Sequence, residues 1–472
     1  MSRLASPRLM LLVFLALLAA PASVTSVAMA ASGLMLTLGA VRLGAQRWRA
    51  RRAQPHDSTL LGVGRDRRPA VLSDRELSAH GLILGASGSG KTTALVTLLA
   101  QEISRGRPVI AIDMKGSPGF AAQLAAAAAA AGRQLRLWTP DGPGFWNPLQ
   151  HGNATEGKDK LISTEHFSEP HYQRAAERYA QTLLQVLRHV HPARAPTLAE
   201  VVSYMDPKRL HGLLREVPEP LAERAQDYLS NLTADQLSAI RGLQTRLAVI
   251  TESEAGPYLN QGQATIDLRA ALDSRDVVLF SLNSSRYGKS AAQLGTLVVQ
   301  DLICATGLRL QEQGAAARLR PAVIAIDEFS GIGGEHVVAL FERGREAGAR
   351  VLVATQEMAD LDRAGRGVRD QVLGNTAFKL VFRQEVPESA HTVAQLAGTE
   401  PRWEETRQIG GTLFPGPAGR GTRREVERFV VHPNEVKTLQ TGDAVLISRL
   451  RGEAARVVRV TPARAERDAL ER

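Results

Sequence analysis

The chain has 472 residues, 44% of them hydrophobic, which is enough for two or three folded domains and excludes global disorder. Its single cysteine, Cys304, excludes an internal disulfide and a cysteine-built metal site, as expected in a reducing compartment. The net charge of +10 comes almost entirely from arginine. It suggests a polyanionic partner, either nucleic acid or anionic lipid, but a genome that favours Arg and Ala gives the same composition.

Residues 1–52 are predicted to form a membrane anchor and its basic flank. No charged residue stands between Arg8 and Arg42, which leaves room for one long span or two short spans within residues 9–41. A cleaved signal peptide ending near Ala28–Ala30 is the alternative, but an exported chain would find no nucleoside triphosphate for the loop described next. The following arginines give the positive charge typical of a cytoplasmic flank: Arg42, Arg47, Arg49, Arg51 and Arg52.

A glycine-rich loop, Gly85–Thr92, follows the apolar run Gly81–Leu84 and precedes a helix-forming segment. It fits the phosphate-loop pattern, in which glycines let backbone N–H groups turn toward phosphates and the next helix directs its positive end at them. We expect Lys91 to reach the β- and γ-phosphates as a catalytic residue and the Thr92 hydroxyl to hold Mg²⁺. A glycine-rich turn without a ligand is the alternative, but the order of strand, loop, lysine, hydroxyl and helix favours ATP and Mg²⁺. The residues predicted to bind the nucleotide are Gly85, Ser87, Gly88, Ser89, Gly90, Lys91, Thr92 and Thr93.

The apolar pattern predicts an α/β fold with a mostly parallel central sheet and an inserted all-α domain. With the phosphate loop, this fold is expected to be a RecA-like phosphate-loop ATPase domain. Residues 53–160 form the first part of the nucleotide-binding domain. Residues 161–263 are predicted to form the inserted all-α domain, because from about His171 to Thr251 the chain shows only helical periodicity, with capping boxes. Residues 264–472 return to strands and complete the nucleotide-binding domain. Its strands are predicted at 276–282, 322–327, 351–355 and 378–382, with edge strands at 426–431, 444–450 and 457–460.

The Gly- and Pro-rich segment Gly410–Gly421 carries one charged residue, Arg420. Glycine and proline are the strongest local signals of turns and irregular connections. We therefore expect a loop at this segment rather than a strand.

Two acids end a buried strand at Ala322–Asp327. We expect Asp327 to position Mg²⁺ as a metal residue and Glu328 to polarise the attacking water as a catalytic residue. Gln356 follows the strand Val351–Thr355 and is predicted to sense the γ-phosphate, the alternative being an ordinary amide at a strand end. Many buried strands end in acidic residues, so the roles predicted for Asp327 and Glu328 depend on the presence of the phosphate loop.

An arginine-rich stretch, Glu342–Arg350, lies between these strands. An arginine presented across a subunit boundary would stabilise transition-state charge in the neighbouring site. Arg345 is predicted for this catalytic role, with Arg343 in reserve, and a solvated helix face is the alternative for either residue.

The chain resembles the type IV secretion coupling proteins, relatives of the FtsK and HerA translocating ATPases. The helical insert and the apolar start stand where that family has its all-α domain and its membrane anchor. Met114 departs from the family, which usually has proline there, and we expect no sizeable extracytoplasmic loop. The resemblance is carried by His80–Thr93, Asp113–Gly116, Trp146–Leu149, Ala325–Ser330, Gly344–Asp362 and Leu373–Thr376.

This resemblance implies a homo-hexamer, anchored in the bacterial inner membrane with its ATPase body in the cytoplasm. It would hydrolyse ATP and pass DNA, single-stranded rather than duplex, to a type IV secretion channel with relaxosome components. Two alternatives stay open: an FtsK-like pump for double-stranded DNA, and a membrane adaptor for secreted proteins that uses nucleotide as a switch. The helical insert argues against the first, and Glu328 with Gln356 against the second. The sequence shows no compact aromatic and basic patch that would name the DNA contacts.

Overall fold

The computed structural model describes residues 58–165, 167, 169–313, 319–410, 416–450 and 452–463, with backbone alone at 313, 406–410 and 416–422. The membrane anchor predicted within residues 1–52 lies outside these residues and stays a prediction. Among the described helices, Ser284–Gln313 is long and apolar enough to cross a membrane. However, 78% of its most apolar window is buried inside the protein, as in the core helix of a folded domain.

Thirteen strands are described, and eleven of them form one central sheet. The strands are β1 Ser58–Gly64, β2 Pro69–Ser73, β3 Gly81–Leu84, β4 Val109–Asp113, β5 Leu135–Trp138, β6 Val277–Ser281, β7 Ala322–Asp327, β8 Ala349–Thr355, β9 Phe378–Val381, β10 Thr399–Gly410, β11 Gly416–Phe429, β12 Asp443–Ser448 and β13 Arg456–Val460. The order in the sheet is β2-β1-β13-β12-β9-β3-β8-β7-β4-β6-β5. From β9 to β5 every neighbouring pair is parallel, whereas β12 pairs antiparallel with both β9 and β13. The sheet is therefore mostly parallel, as predicted.

The central strands are continuous apolar runs because helices cover both faces of the sheet. All residues of β4 and β7 are buried, and two hydrophobic clusters form on the two faces. The helices of four or more residues are α1 Asp74–Leu77, α2 Lys91–Ser104, α3 Pro118–Ala130, α4 Ala154–Ser163, α5 Pro170–Val190, α6 Leu198–Tyr204, α7 Pro207–Gly212, α8 Glu219–Ser230, α9 Ala234–Thr251, α10 Leu268–Asp273, α11 Ser284–Gln313, α12 Gly334–Glu346, α13 Met358–Arg363, α14 Val368–Asn375, α15 Pro387–Ala397 and α16 Pro433–Lys437. The α11 segment consists of two helices joined at a kink, where Gly288 has φ 48° and ψ −119°.

The segment predicted as an all-helical insert lies between β5 and β6. Thr197 and Thr233 cap α6 and α9 through capping boxes, as expected from the sequence. The apolar faces of α5 and α9 contribute Leu183, Leu187 and Leu243 to the same hydrophobic cluster that packs on the sheet. The helices of this segment are therefore packed against one another and continuous with the main core.

A buried polar network joins the start of α4 to α10 and α11. Asp301, fully buried on α11, accepts hydrogen bonds from Lys160 Nζ at 2.7 Å and from Trp146 Nε1 at 3.0 Å. The Nδ1 atom of His151 lies 3.0 Å from Asp301 Oδ1, and its Nε2 atom lies 3.0 Å from Asp267 Oδ1. Burial alone would lower the pKa of His151, but these two carboxylates raise it to about 9. The network supplies partners for charges that would otherwise be costly to bury.

The prediction of a loop at Gly410–Gly421 is wrong for the residues of this segment that the structure describes, which are 410 and 416–421. Strands β10 and β11 pair antiparallel from Thr399–Phe429 to Gly410–Gly416 and form a long two-stranded ribbon, outside the central sheet. The predicted edge strand at 426–431 is the end of β11 in this ribbon. Glycine and proline misled the prediction because a two-stranded ribbon leaves one edge of each strand unpaired and tolerates them there.

Candidate nucleotide-binding site

The phosphate loop connects the buried end of β3 to the first residue of α2. Gly88 and Gly90 have φ values of 73° and 113°, which favour glycine over residues with a side chain. A Cβ atom at Gly85 would stand 2.5 Å from Phe382 Cβ and 2.6 Å from Ser89 Oγ. Side chains at these positions would therefore crowd or strain the loop, and glycine lets its backbone come close to a bound anion.

Lys91 begins α2 and is only 5% exposed. Its Nζ donates to the carbonyl of Gly85, so the ammonium lies folded over the loop. Burial lowers the pKa of Lys91, and the nearby carboxylates of Glu328 and Asp327 oppose this effect. The lysine therefore stands where a triphosphate would be bound, among charges of both signs.

Asp327 lies at the end of β7, and Thr92 Oγ1 donates to its Oδ2 at 3.5 Å. Burial, together with the charges of Asp113 and Glu328, raises the pKa of Asp327 to about 6. Asp113 is its direct register partner on β4. Thr92 thus supplies a hydroxyl and Asp327 a buried carboxylate, and oxygen atoms of these kinds are the ligands that Mg²⁺ prefers. A bound cation would also stabilise the negative charge of the buried carboxylate.

Glu328 takes the left-handed backbone conformation, with φ 59° and ψ 48°, directly after the strand. Its Oε2 accepts from Lys115 Nζ at 2.8 Å and from Gln356 Nε2 at 3.2 Å. Burial lowers the pKa of Lys115, but the hydrogen bond and charge of Glu328 outweigh burial and raise it. Lys115, Glu328 and Gln356, which follow β4, β7 and β8, therefore meet at one carboxylate oxygen.

Lys115 is the functional candidate that the sequence left without a role. It lies in the loop after β4, where the Asp113 carboxylate accepts from the backbone N–H groups of Lys115 at 2.9 Å and Ser117 at 2.6 Å. The signal in the sequence was an aspartate ending an apolar strand with a lysine two residues later. Its partner is far away in the chain, so the pair becomes visible only in the fold.

The predicted nucleotide residues lie together, but Arg345 does not join them. Both Arg345 and Arg343 are exposed in the last turn of α12, which ends just before β8 begins. His80, which directly precedes β3, has a pKa lowered to about 4, mainly by burial. The positive charge of Arg345 also lowers the pKa of His80, so Arg345 lies near this residue. Arg345 thus lies at the amino ends of the parallel strands, opposite the edge that carries the phosphate loop.

The site fits a magnesium-bound nucleotide because polar atoms are buried around the loop without hydrogen-bond partners among the described residues. These are Ser89 Oγ, Asp327 Oδ1 and Glu357 Oε2. Orphaned buried donors and acceptors cost free energy, and a bound ligand would satisfy them. Thr92 and Asp327 would hold the ion, while the loop N–H groups and Lys91 would hold phosphate oxygens.

A glycine loop between a buried parallel strand and a helix, with an acidic strand end beside its threonine, defines the class of phosphate-loop proteins. Residues 71–458 match the family model described as the type IV secretion-system coupling protein DNA-binding domain. This match spans most of the chain, which therefore belongs to the family of type IV secretion-system coupling proteins.

Solved structures of similar fold include two of the conjugative coupling protein TrwB. The unbound bacterial protein TrwBΔN70 is 16% identical with a TM-score of 0.63, covering 87% of this chain and 90% of that one. The plasmid coupling protein TrwB in complex with ADP and Mg²⁺ is 16% identical with a TM-score of 0.59, covering 88% and 91%. VirB4 of Thermoanaerobacter pseudethanolicus is 15% identical with a TM-score of 0.58, covering 88% and 99%. No curated protein sequence matches the chain.

Proposed function

We propose that this protein is a membrane-anchored, hexameric ATPase that couples ATP hydrolysis to the transfer of DNA into a type IV secretion channel. The observation that carries the proposal is the convergence of Lys115, Glu328 and Gln356 beside the phosphate loop. A protein that only bound nucleotide would need the loop but not a carboxylate held at the γ-phosphate side. Family membership and the TrwB structure with ADP and Mg²⁺ add support.

In this mechanism, the loop N–H groups and Lys91 bind the β- and γ-phosphates. Thr92 and Asp327 would hold Mg²⁺, whose positive charge would offset that of the phosphates. Glu328 orients the attacking water and accepts its proton as the water oxygen bonds to the γ-phosphorus and the bond to ADP breaks. Gln356, which donates a hydrogen bond to Glu328, senses whether the γ-phosphate is present. Arg345 acts in the site of a neighbouring subunit.

The test is ATP hydrolysis by the full chain in detergent, alone and with single-stranded or duplex DNA, using Lys91→Ala as the inactive control. Stimulation by single strands, absent in the control, is expected. A stronger response to duplex DNA would favour the FtsK-like pump. Hydrolysis that ignored both kinds of DNA in assembled oligomers would overturn DNA transfer and favour the nucleotide-switched adaptor for secreted proteins.

A further inference from the structure

The ribbon of β10 and β11 carries an exposed tryptophan on one face. Trp403 is 56% exposed, whereas Trp138 and Trp146 are completely buried in the core. Tryptophan is enriched among the residues that anchor protein interfaces, because its large ring buries much apolar surface when a partner covers it. The exposure of Trp403 therefore makes this face of the ribbon a candidate docking surface.

The register of the ribbon shows which side chains share a face with Trp403. Residues directly opposite each other in an antiparallel pair lie on the same face, and successive residues of a strand alternate between faces. The pairs on this face are Pro401 with Glu427, Trp403 with Glu425, and Glu405 with Arg423. These six residues form what we call the tryptophan face.

The tryptophan face is acidic. Glu405 stands opposite Arg423 and offsets its charge, which leaves Glu425 and Glu427 in excess. Both of these side chains are exposed. Glu427 accepts a hydrogen bond from Thr399 Oγ1 at 2.7 Å, and Glu425 forms no ion pair with a residue whose side chain the structure describes. An acidic face stands out in a chain whose net charge is +10.

On the opposite face of the ribbon, acidic and basic side chains are paired with each other. Arg402 Nε lies 2.8 Å from Glu400 Oε1, and Arg428 forms an ion pair with Glu404. Arg424 lies 3.8 Å from the second carboxylate oxygen of Glu404. The charges of that face are therefore satisfied within the ribbon, whereas the tryptophan face keeps an excess of negative charge.

The Trp403 ring already shows which chemical group this face attracts. The guanidinium carbon of Arg423 lies 4.6 Å from the centre of the ring. Cations are drawn to the negative face of an aromatic ring, and tryptophan attracts them most strongly. The ring and the two carboxylates in excess thus favour the same kind of partner group, a guanidinium or an ammonium.

The ribbon also leaves backbone groups open to an extended partner. It is a two-stranded sheet, and no other described strand pairs with β10 or β11. Residues 423–429 of β11 contain no proline, so each of them has a backbone N–H group. A segment paired along β11 would direct every second side chain toward the face that holds Glu425 and Glu427.

From these observations we propose that the tryptophan face binds a partner protein through an extended segment rich in arginine or lysine. The cationic side chains of the segment contact Glu425, Glu427 and the Trp403 ring, while its backbone pairs with β11. Proteins that bind nucleic acid often carry basic segments of this kind, so a partner that is itself attached to DNA fits the proposed function. The docking face does not depend on that function, because it concerns a contact between proteins.

The experiment measures binding of a fluorescent peptide of alternating arginine and threonine to the full chain in detergent. A peptide with glutamate in place of arginine is the charge control. Trp403→Ala is expected to weaken binding at least about fivefold, and Trp403→Tyr to keep most of it. The double variant Glu425→Gln with Glu427→Gln is expected to weaken binding about five- to tenfold at low salt and less at high salt, because ions screen exposed charges.

The matched control removes two exposed carboxylates elsewhere, through Glu223→Gln on α8 and Glu252→Gln just after α9, and is expected to bind as the wild type does. If the ribbon variants bind the arginine peptide normally, or the wild type binds the glutamate peptide equally well, the proposal is overturned. If the ribbon variants keep peptide binding but change the oligomer size in light scattering, the face is a contact between copies of this chain and the inference is wrong.

Failure of this proposal is distinguishable from failure of the proposed function. If DNA stimulates hydrolysis in the wild type while the ribbon variants bind the peptide normally, the docking face alone is overturned. If hydrolysis ignores DNA while the ribbon variants lose peptide binding, DNA transfer is overturned and the docking face stands.

Discussion

Lys115 Nζ and Glu328 Oε2 lie 2.8 Å apart, although the two residues follow different strands. They meet because β4 and β7 are parallel neighbours whose carboxyl ends share one edge of the sheet. Gln356, which follows β8, binds the same oxygen. The orientation of the carboxylate is therefore fixed from both sides before any substrate binds.

Replacing Glu328 by glutamine is expected to slow ATP hydrolysis by about 10²–10⁴-fold, because an amide of the same shape accepts no proton from water. Nucleotide affinity should stay within a few-fold of the wild type, since the phosphate loop is untouched. Single-turnover kinetics and nucleotide titration measure the two quantities. Glu346→Gln, on the exposed end of α12, is the matched control. Hydrolysis at the wild-type rate would remove Glu328 from the mechanism.

Replacing Lys115 by methionine is expected to lower kcat by roughly 10- to 100-fold with little change in KM, because Glu328 then keeps only Gln356 as a described partner. Lys115→Arg, which retains the cation, should recover most of the rate. Lys208→Met, exposed on α7, serves as a control for loss of a positive charge. An unchanged kcat would show that the ion pair is structural.

The role of Arg345 in a neighbouring subunit predicts complementation between two inactive variants. Arg345→Ala alone should lose about 10³-fold in turnover, because transition-state charge is no longer neutralised. Mixing it with Lys91→Ala should restore part of the activity, since Lys91→Ala subunits still supply Arg345 to intact phosphate loops beside them. Arg343→Ala is the paired control. If that variant is inactive and Arg345→Ala is not, the reserve residue carries the role.

The His151 network predicts a loss of stability at high pH. The pKa of His151 is raised from 6.5 to about 9, so its stabilising effect is complete below pH 6.5 and is lost as pH rises toward 9. The groups facing it are Asp267, Asp301 and Lys160. The loss is on the order of 3 kcal/mol, given the small exposure of this side chain.

Thermal unfolding as a function of pH measures this effect. His151→Gln should unfold at a lower temperature at pH 6.5 and should vary less with pH across the window than the wild type. His211→Gln, at an exposed position on α7, should follow the wild type. Parallel curves for His151→Gln and the wild type would contradict the proposed coupling.

Segments with a continuous apolar pattern were predictable from the sequence. The predicted strands at 322–327 and 378–382 correspond to β7 and β9, since burial on both faces leaves a run of Val, Ile, Leu and Phe. The phosphate loop was predictable because its glycines, lysine and hydroxyl are consecutive. Both are local properties of the chain.

What could not be predicted depends on residues that are distant in the chain. The pairing of Lys115 with Glu328 follows from strand order, and the length of the β10–β11 ribbon follows from a register that continues into a segment expected to be a loop. Periodicity gives neither order nor register. The prediction for Arg345 concerns a neighbouring subunit, so the complementation experiment tests it.

The left-handed backbone conformation at Glu328 lowers the stability of the fold, typically by about 1–3 kcal/mol, for any residue that has a Cβ atom. Glycine would adopt the same φ of 59° without that cost. Glu328→Gly should therefore unfold at a higher temperature than Glu328→Ala while sharing its loss of hydrolysis. Heat resistance and hydrolysis therefore respond differently to substitution at this position, so a laboratory evolution experiment on this scaffold needs a screen for turnover beside the one for stability.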